Sequence, residues 1–155
     1  NTGGTLDKGN NTFGETTGKK QMSYRGIEDL YGNVRNWVDG FILNKPSQGN
    51  ISIAIKGFND NGTGYEKIGQ TSNISGANIR HIRDEKELGF IPKTTGGSYE
   101  NDGLYDYGRL DVDSDARFAY CGGYWASGSS AAAFYFYADW FASYSSSSIG
   151  ARLCL

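Results

Sequence analysis

Val34-Arg35-Asn36-Trp37-Val38-Asp39-Gly40-Phe41-Ile42-Leu43 places Val34, Trp37, Val38, Phe41, Ile42 and Leu43 within ten positions. So dense an apolar run predicts a buried strand, bent where Gly40 offers no side chain to pack. Upstream, Met22 through Asn33 contains Ser23, a residue that caps helices, and ends in Gly32-Asn33, a pair suited to positive φ. A short helix is expected there. Residues 1–21 read as a leading segment with Leu6 and Phe13 as its large apolar anchors, and with one short strand around Thr5–Asp7. Downstream, a turn at Lys45–Asn50 precedes Ile51, Ile53 and Ile55, which alternate with Ser52, Ala54 and Lys56 as in a half-buried strand. Phe58–Gly64 reads as a hairpin tip. Ile79–Ile91 fits strand or helix, Asp84–Glu87 a solvated turn, and Pro92–Gly108 a loop-rich stretch. Ala116–Cys121 forms a strand with Phe118 and Tyr120 on one face, interrupted at Gly122-Gly123. Ile149–Leu155 reads as a closing strand. The expected class is α+β: short strands, one or two short helices and long loops, in one domain over 22–155.

The chain has 155 residues, the size of one ordinary domain. Fifteen basic against 17 acidic side chains give a net charge of −2. No basic stripe is visible, so no nucleic-acid partner is expected. No run approaches the roughly 20 apolar residues of a membrane-spanning helix, so no membrane insertion is expected. The chain opens at Asn1 without a methionine and is expected to be processed or part of a longer product. Cys121, Cys154 and the single His81 do not make up a zinc set. Both cysteines read as small buried residues, and His81 as an ordinary surface or strand histidine.

The stretch with the most unusual alphabet is 124–148. Its 25 positions hold 8 Ser, 6 Ala, 4 Tyr, 3 Phe, 2 Trp, 1 Gly and 1 Asp, with no Lys, Arg, Glu, Leu, Ile or Val. A buried core segment draws on branched aliphatics, and a disordered linker lacks nine aromatics. Tyr and Trp supply large, rigid contact area, while Ser and Gly supply adaptable hydrogen bonding, as in antibody-like binding loops. The expected recognition surface is Tyr124, Ser127, Ser129, Ser130, Tyr135, Tyr137, Asp139, Trp140, Tyr144 and Ser145. Trp125, Phe134 and Phe141 are expected to be buried structural members. Composition leaves the register of exposed and buried members open.

Several motifs together resemble a known family. Tyr24-Arg25-Gly26-Ile27-Glu28-Asp29-Leu30-Tyr31-Gly32-Asn33-Val34 with Trp37-Val38-Asp39-Gly40 is similar to the opening motif of C-type-lectin-like domains in phage and prophage tail proteins. Leu88–Lys93 with Thr95–Ser98, and Gly122–Trp125 through Phe134 to Ile149–Leu153, resemble the middle and the C-terminal variable region of those proteins. The resemblance covers about 22–155. It implies a C-type-lectin-like fold, shared with formylglycine-generating enzymes, and kinship with the variable proteins of diversity-generating retroelements. Adenine-directed changes at AAC codons yield Tyr, Ser, Ala, Asp, Phe and Gly, nearly the alphabet of 124–148. Carried over by motif, Gly122, Gly123, Trp125, Gly128, Phe134, Ile149, Gly150, Arg152 and Leu153 match the fixed scaffold. Ala132 stands where a glycine is usual, and Tyr120-Cys121 where an arginine often precedes the glycine pair.

The function implied is noncovalent binding of a host-cell surface protein or glycan, by a receptor-binding protein at a virion tail tip. The alternative is a bacterial cell-surface adhesin carrying the same variable domain. Other tail or surface subunits are implied as partners, and a homo-trimer is compatible, although no heptad repeat supports one. No catalysis is expected. Cys121 and Cys154 do not match the copper-binding pair of the formylglycine-type oxidases, the alternative of another class. Asp111–Asp115 opens like a calcium loop, but Ala116 and Gly122 stand where its glycine and glutamate belong. The lectin calcium motif is also missing, so no metal and no cofactor are expected. On this reading Tyr137→Ala or Tyr144→Ala weakens binding at unchanged stability, whereas Trp125→Ala unfolds the domain.

Overall fold

The computed structural model describes residues 23–24, 27–28, 31–85, 89–96, 104, 106–131 and 134–151. The described chain is almost all β, a sheet curled into a half-barrel. Its strands are β1 (Ser23–Tyr24), β2 (Ile27–Glu28), β3 (Arg35–Leu43), β4 (Asn50–Ile53), β5 (Glu66–Gln70), β6 (Ile74–Ile82), β7 (Pro92–Thr95), β8 (Tyr107–Leu110), β9 (Arg117–Cys121), β10 (Phe136–Trp140) and β11 (Ile149–Gly150). The main sheet runs β5-β4-β3-β9-β10-β8-β6-β7, with β11 alongside the start of β3. Pairings are antiparallel except β10 with β8 and β11 with β3.

The α+β, C-type-lectin-like architecture expected from the sequence is therefore corrected. Among the described residues the helical content is one 3₁₀ turn, Gly128–Ser130. Where Ser23 was expected to cap a helix, Ser23 pairs with Glu28 and Tyr24 with Ile27 as a two-stranded antiparallel ribbon. The stretch is short for a helix and carries Gly26, so little intrinsic helical stability opposes the strand pairing. The ambiguous Ile79–Ile91 region belongs at its start to β6, and Pro92–Thr95, read as loop, is β7. The Thr5–Asp7 strand, and the closing strand beyond Ala151, lie outside the described residues.

Other expectations match. β3 spans Arg35–Leu43 and breaks register with β9 between Val38 and Leu43, with Gly40 at φ +79°. Five steps along β3 there match two along β9, so the strand must bulge, and glycine takes the left-handed conformation at little cost. β4 and β5 form the hairpin that Phe58–Gly64 was expected to tip.

Phe41, Leu43, Ile51, Ile74, Ile91, Leu110, Ala119, Phe136 and Ala138 form the core. Each large member contributes roughly 1.5–3 kcal/mol by leaving water. One cross-strand row, Val38–Ala119–Ala138–Leu110, shows how the centre is built. Ala119 and Ala138 are fully buried and take the crowded middle of the curl.

The acidic turn 111–115 is tied down by a side chain that follows β3. Asn44, 2% exposed, donates from Nδ2 to Asp111 O, Asp113 Oδ1 and Asp115 O at 2.9, 3.1 and 2.9 Å. Its Oδ1 accepts from Gly49 N at 2.9 Å. Oxygens that a calcium loop would aim at an ion are aimed here at an amide nitrogen. Asn44→Ala is expected to lower stability by about 2–4 kcal/mol, because the buried Gly49 N–H and three part-buried acceptors lose their partner at once. Denaturant titration checks this. A loss below ~1 kcal/mol would mean that water replaces the amide.

Candidate ligand-binding surface

The Tyr/Ser segment does not form one displayed loop. Its middle, Phe136–Trp140, is β10, which runs between β9 and β8 in the centre of the sheet. Alternation then divides its side chains between two faces. Phe136 and Ala138 enter the core. Tyr137 falls in the neighbouring row, Trp37–Tyr120–Tyr137–Arg109, which crosses four strands on the opposite side.

That row is closely packed. Trp37 meets Tyr120 edge-on with ring centroids 5.8 Å apart, and Tyr120 meets Tyr137 at 5.7 Å. Tyr135 stacks on Tyr137 at 4.6 Å and 11°. A polar spine runs alongside the rings. Arg35 Nη1 donates to Tyr120 Oη at 3.5 Å, and Tyr120 Oη donates to Asp139 Oδ1 at 2.7 Å. Asp139 Oδ2 lies 3.6 Å from Arg109 Nε, and Arg109 forks onto both oxygens of Asp111 at 2.9 and 3.0 Å. Arg35 also donates to Ser148 Oγ at 2.6 Å and lies over the Tyr120 and Tyr124 rings. Cations and anions alternate along the spine, so each buried charge has an opposite neighbour or a hydroxyl between.

Burial pushes the Asp139 carboxyl above the usual aspartate range, opposed by the Tyr120 hydrogen bond and the Arg109 charge. Burial also raises the Tyr120, Tyr135 and Tyr137 hydroxyls. The phenols therefore remain protonated donors at neutral pH. For Asp139 the sign of the linkage is unusual. Between the ordinary aspartate pKa and the raised one, the folded chain holds a proton that the unfolded chain has released. Its contribution to stability thus grows as pH falls through that window and is lost as pH rises through the folded pKa. Wild type is expected to gain stability relative to Asp139→Asn as pH is lowered from neutrality. Paired denaturant titrations check this, and a relative loss would contradict it.

A bulge turns the end of β10 outward. Ala138 pairs with Ala119 but Trp140 with Phe118, so two steps on β10 match one on β9. The offset brings Trp140 opposite Phe118, on the ring-bearing side. Trp140 there stacks on Tyr144 at 4.0 Å and 13°. Arg117 donates to Asp139 O at 3.1 Å, is paired with Asp113, and lies 4.1 Å from the Phe141 ring centroid.

At the other end, Gly122-Gly123 makes the corner. Gly123 has φ +62°, and a Cβ there would lie 2.5 Å from the Ala131 Cβ, so a side chain is excluded twice over. Gly32 N donates to Gly122 O at 2.6 Å and Trp125 N to Asn33 O at 3.1 Å, fixing the loop to the β3 approach. Ser127 Oγ accepts from Tyr124 N at 3.1 Å, and Ser130 N donates to Ser127 O at 3.1 Å.

The expected recognition residues therefore separate. Ser145 is exposed, and Tyr124, Ser127, Ser130, Tyr137, Asp139, Trp140 and Tyr144 are half-buried. Tyr135 is 5% exposed and belongs to the interior. Ser129 lies in the 3₁₀ turn, and its side chain is outside the described set. The expectation that Trp125, Phe134 and Phe141 are buried is corrected: they are 56%, 49% and 43% exposed. Asp106 Oδ1 holds Phe134 N at 2.7 Å, so the chain enters β10 with Tyr135 and Phe136 inside and Phe134 left outside. Trp125 stands on the Gly-Gly corner and touches Tyr124 edge-on at 5.5 Å. Trp125→Ala is accordingly no longer expected to unfold the domain.

Among the scaffold residues, Gly122 and Gly123 are buried and Gly150 pairs with Asn36, while Arg152 lies outside the described residues. Sequence reasoning missed Arg35, Trp37, Arg109 and Arg117. Alternation gave the available signal: Arg35 and Trp37 share a face of β3, as Phe118 and Tyr120 share a face of β9. Cys121 is a half-buried strand residue, Cys154 is outside the described set, and exposed His81 meets Thr94 Oγ1 at 2.9 Å. Among the described residues no three His, Cys, Asp or Glu side chains are grouped to hold a metal ion, and no helix is long and apolar enough to cross a membrane. No protein-family model, curated protein or solved structure matches this chain.

Proposed function

We propose that the chain is a noncovalent recognition module that binds a host-cell surface protein or glycan through the ridge formed by Tyr124, Trp125, Tyr137, Trp140, Tyr144 and Ser145. One observation carries the reading: a single 25-residue segment supplies both a central strand and the exposed or half-exposed aromatics on either side of it. Large aromatics anchored on a rigid, hydrogen-bonded base bind with little loss of side-chain freedom, and neighbouring serines adapt the polar contacts. The charged groups beside the ridge are engaged with one another, which suits a support better than a reaction centre. A setting at a phage or prophage tail tip, or on a bacterial surface, is supported by the sequence resemblance of residues 22–155. The restricted alphabet supports a segment diversified between sister genes.

The test is saturable binding of fluorescently labelled protein to a panel of bacterial strains. For a strain that binds wild type, Trp125→Ala and Trp140→Ala are each expected to weaken binding about tenfold or more, the loss of a hot-spot aromatic. The melting temperature of Trp125→Ala is expected to change little. Undiminished binding by both variants would exclude the ridge as the contact surface.

A further inference from the structure

A second feature lies beyond the ridge: an open groove of about 570 Å³ between the start of β6 and the end of β8. Ser75, Gly76, Arg109, Asp111 and Val112 are among its lining residues. Gly76 matters for what it leaves uncovered. A Cβ there would sit 3.0 Å from Tyr137 Oη and 3.7 Å from Arg109 Cδ, so its absence opens both groups to the groove. Val112 N donates to Asn73 Oδ1 at 2.6 Å, which leaves the Asn73 NH₂ as a donor at the rim.

We propose that this groove is a subsite for a neutral saccharide, adjoining the aromatic ridge at Tyr137. The side-by-side Arg109–Asp111 pair presents unused N–H donors next to carboxylate lone pairs. A vicinal diol needs that mixed edge, because each hydroxyl both donates and accepts. Half-buried Val112 adds apolar surface for the C–H side of a sugar ring. Charge argues against the other small-ligand classes. Arg109 is already flanked by Asp111 and Asp139, which disfavours an anion. Asp113 is paired with Arg117, and Asp111 with Arg109, which removes the free carboxylate that a cation would seek. The volume falls within the range of small-molecule sites and leaves room for a short saccharide.

The test is titration of the folded chain with the methyl glycosides of glucose, galactose, mannose and N-acetylglucosamine, followed by ¹⁵N–¹H spectra. At least one glycoside is expected to cause saturable shifts at the Gly76 amide and the Arg109 Nε–H, with millimolar affinity. Arg109→Lys keeps the charge but loses the planar fork, and should weaken that binding about fivefold or more. Ser75→Lys, a change at an exposed position, should block it while the rest of the spectrum stays in place. Absence of saturable shifts from all four sugars up to about 50 mM, well above a millimolar Kd, overturns the proposal. Saturation confined to the Trp125 and Trp140 indole signals also overturns it, by placing the sugar on the ridge, and leaves the ridge reading standing.

Discussion

Phe136→Ala is expected to cost about 3–5 kcal/mol of stability, the usual penalty for emptying a buried aromatic site. Phe136 is 3% exposed, meets Phe41 edge-on at 5.4 Å and Phe90 at 5.7 Å, and sits in the strand that joins β9 to β8. Removing its ring opens a cavity at the point where both halves of the sheet meet. The residue belongs to the segment whose composition suggests a tolerant, displayed surface, so the experiment separates two accounts cleanly. A displayed loop would lose less than ~1 kcal/mol, as surface substitutions do. Chemical denaturation of both proteins decides the matter, provided that the m-value is unchanged.

Asp139→Ala is expected to be nearly as damaging, at about 2–4 kcal/mol. The Asp139 side chain is 8% exposed and links Tyr120 to Arg109. Without it the buried Tyr120 hydroxyl loses its acceptor, and Arg109 keeps only Asp111. The half-exposed guanidinium can recover part of its solvation, which limits the loss. Asp139→Asn retains an oxygen to accept from Tyr120 and should cost much less. Equal losses for the two variants would show that the charge, rather than the hydrogen bond, holds the spine together.

These two residues show where the sequence was legible. β3 could be read with its bend at Gly40, because six large apolar side chains in ten positions have few other solutions. β4 could be read as a strand from the alternation of Ile51 and Ile53, but not in its burial: Ser52 is 1% exposed, and Ile55, expected in the same row, is 56% exposed beyond the strand end. The stretch 134–140 was harder. Its inward residues, Phe136 and Ala138, alternate with Tyr137 and Asp139, but alanine and tyrosine are compatible with either face, so the period of two is nearly silent. Six alanines and eight serines in the surrounding segment dilute it further. The Ser23–Asn33 stretch misled for a different reason. Capping residues and a terminal glycine are permissive signals, and the pairing of Ser23 with Glu28 and Tyr24 with Ile27 is compatible with them equally well.

The proposed recognition surface follows from composition, whereas the placement of its residues does not. Tyr124, Trp140 and Tyr144 were expected at that surface from residue type alone, and the structure leaves them half-buried. Trp140 and Tyr144 stack on each other four residues apart, whereas Tyr124 lies against Arg35, which is remote in the chain. Arg35 reaches Ser148, 113 residues away, and Tyr120, 85 residues away. The parallel pairing of β10 with β8, which brings Tyr137 beside Arg109, leaves no local mark in the sequence. The exposure of Trp125 and Phe134 depends on a glycine corner and on one Asp106 hydrogen bond, both settled only when the sheet is assembled.

The central claim is that one segment serves as both interior strand and displayed ridge, and amide hydrogen exchange of the unliganded chain tests it most directly. The amides of 136–140 are expected to exchange slowly, near the global unfolding limit, while those of 124–130 and 141–147 exchange through local opening. Rapid exchange across the whole of 124–148 would contradict the account and return the segment to a single displayed loop.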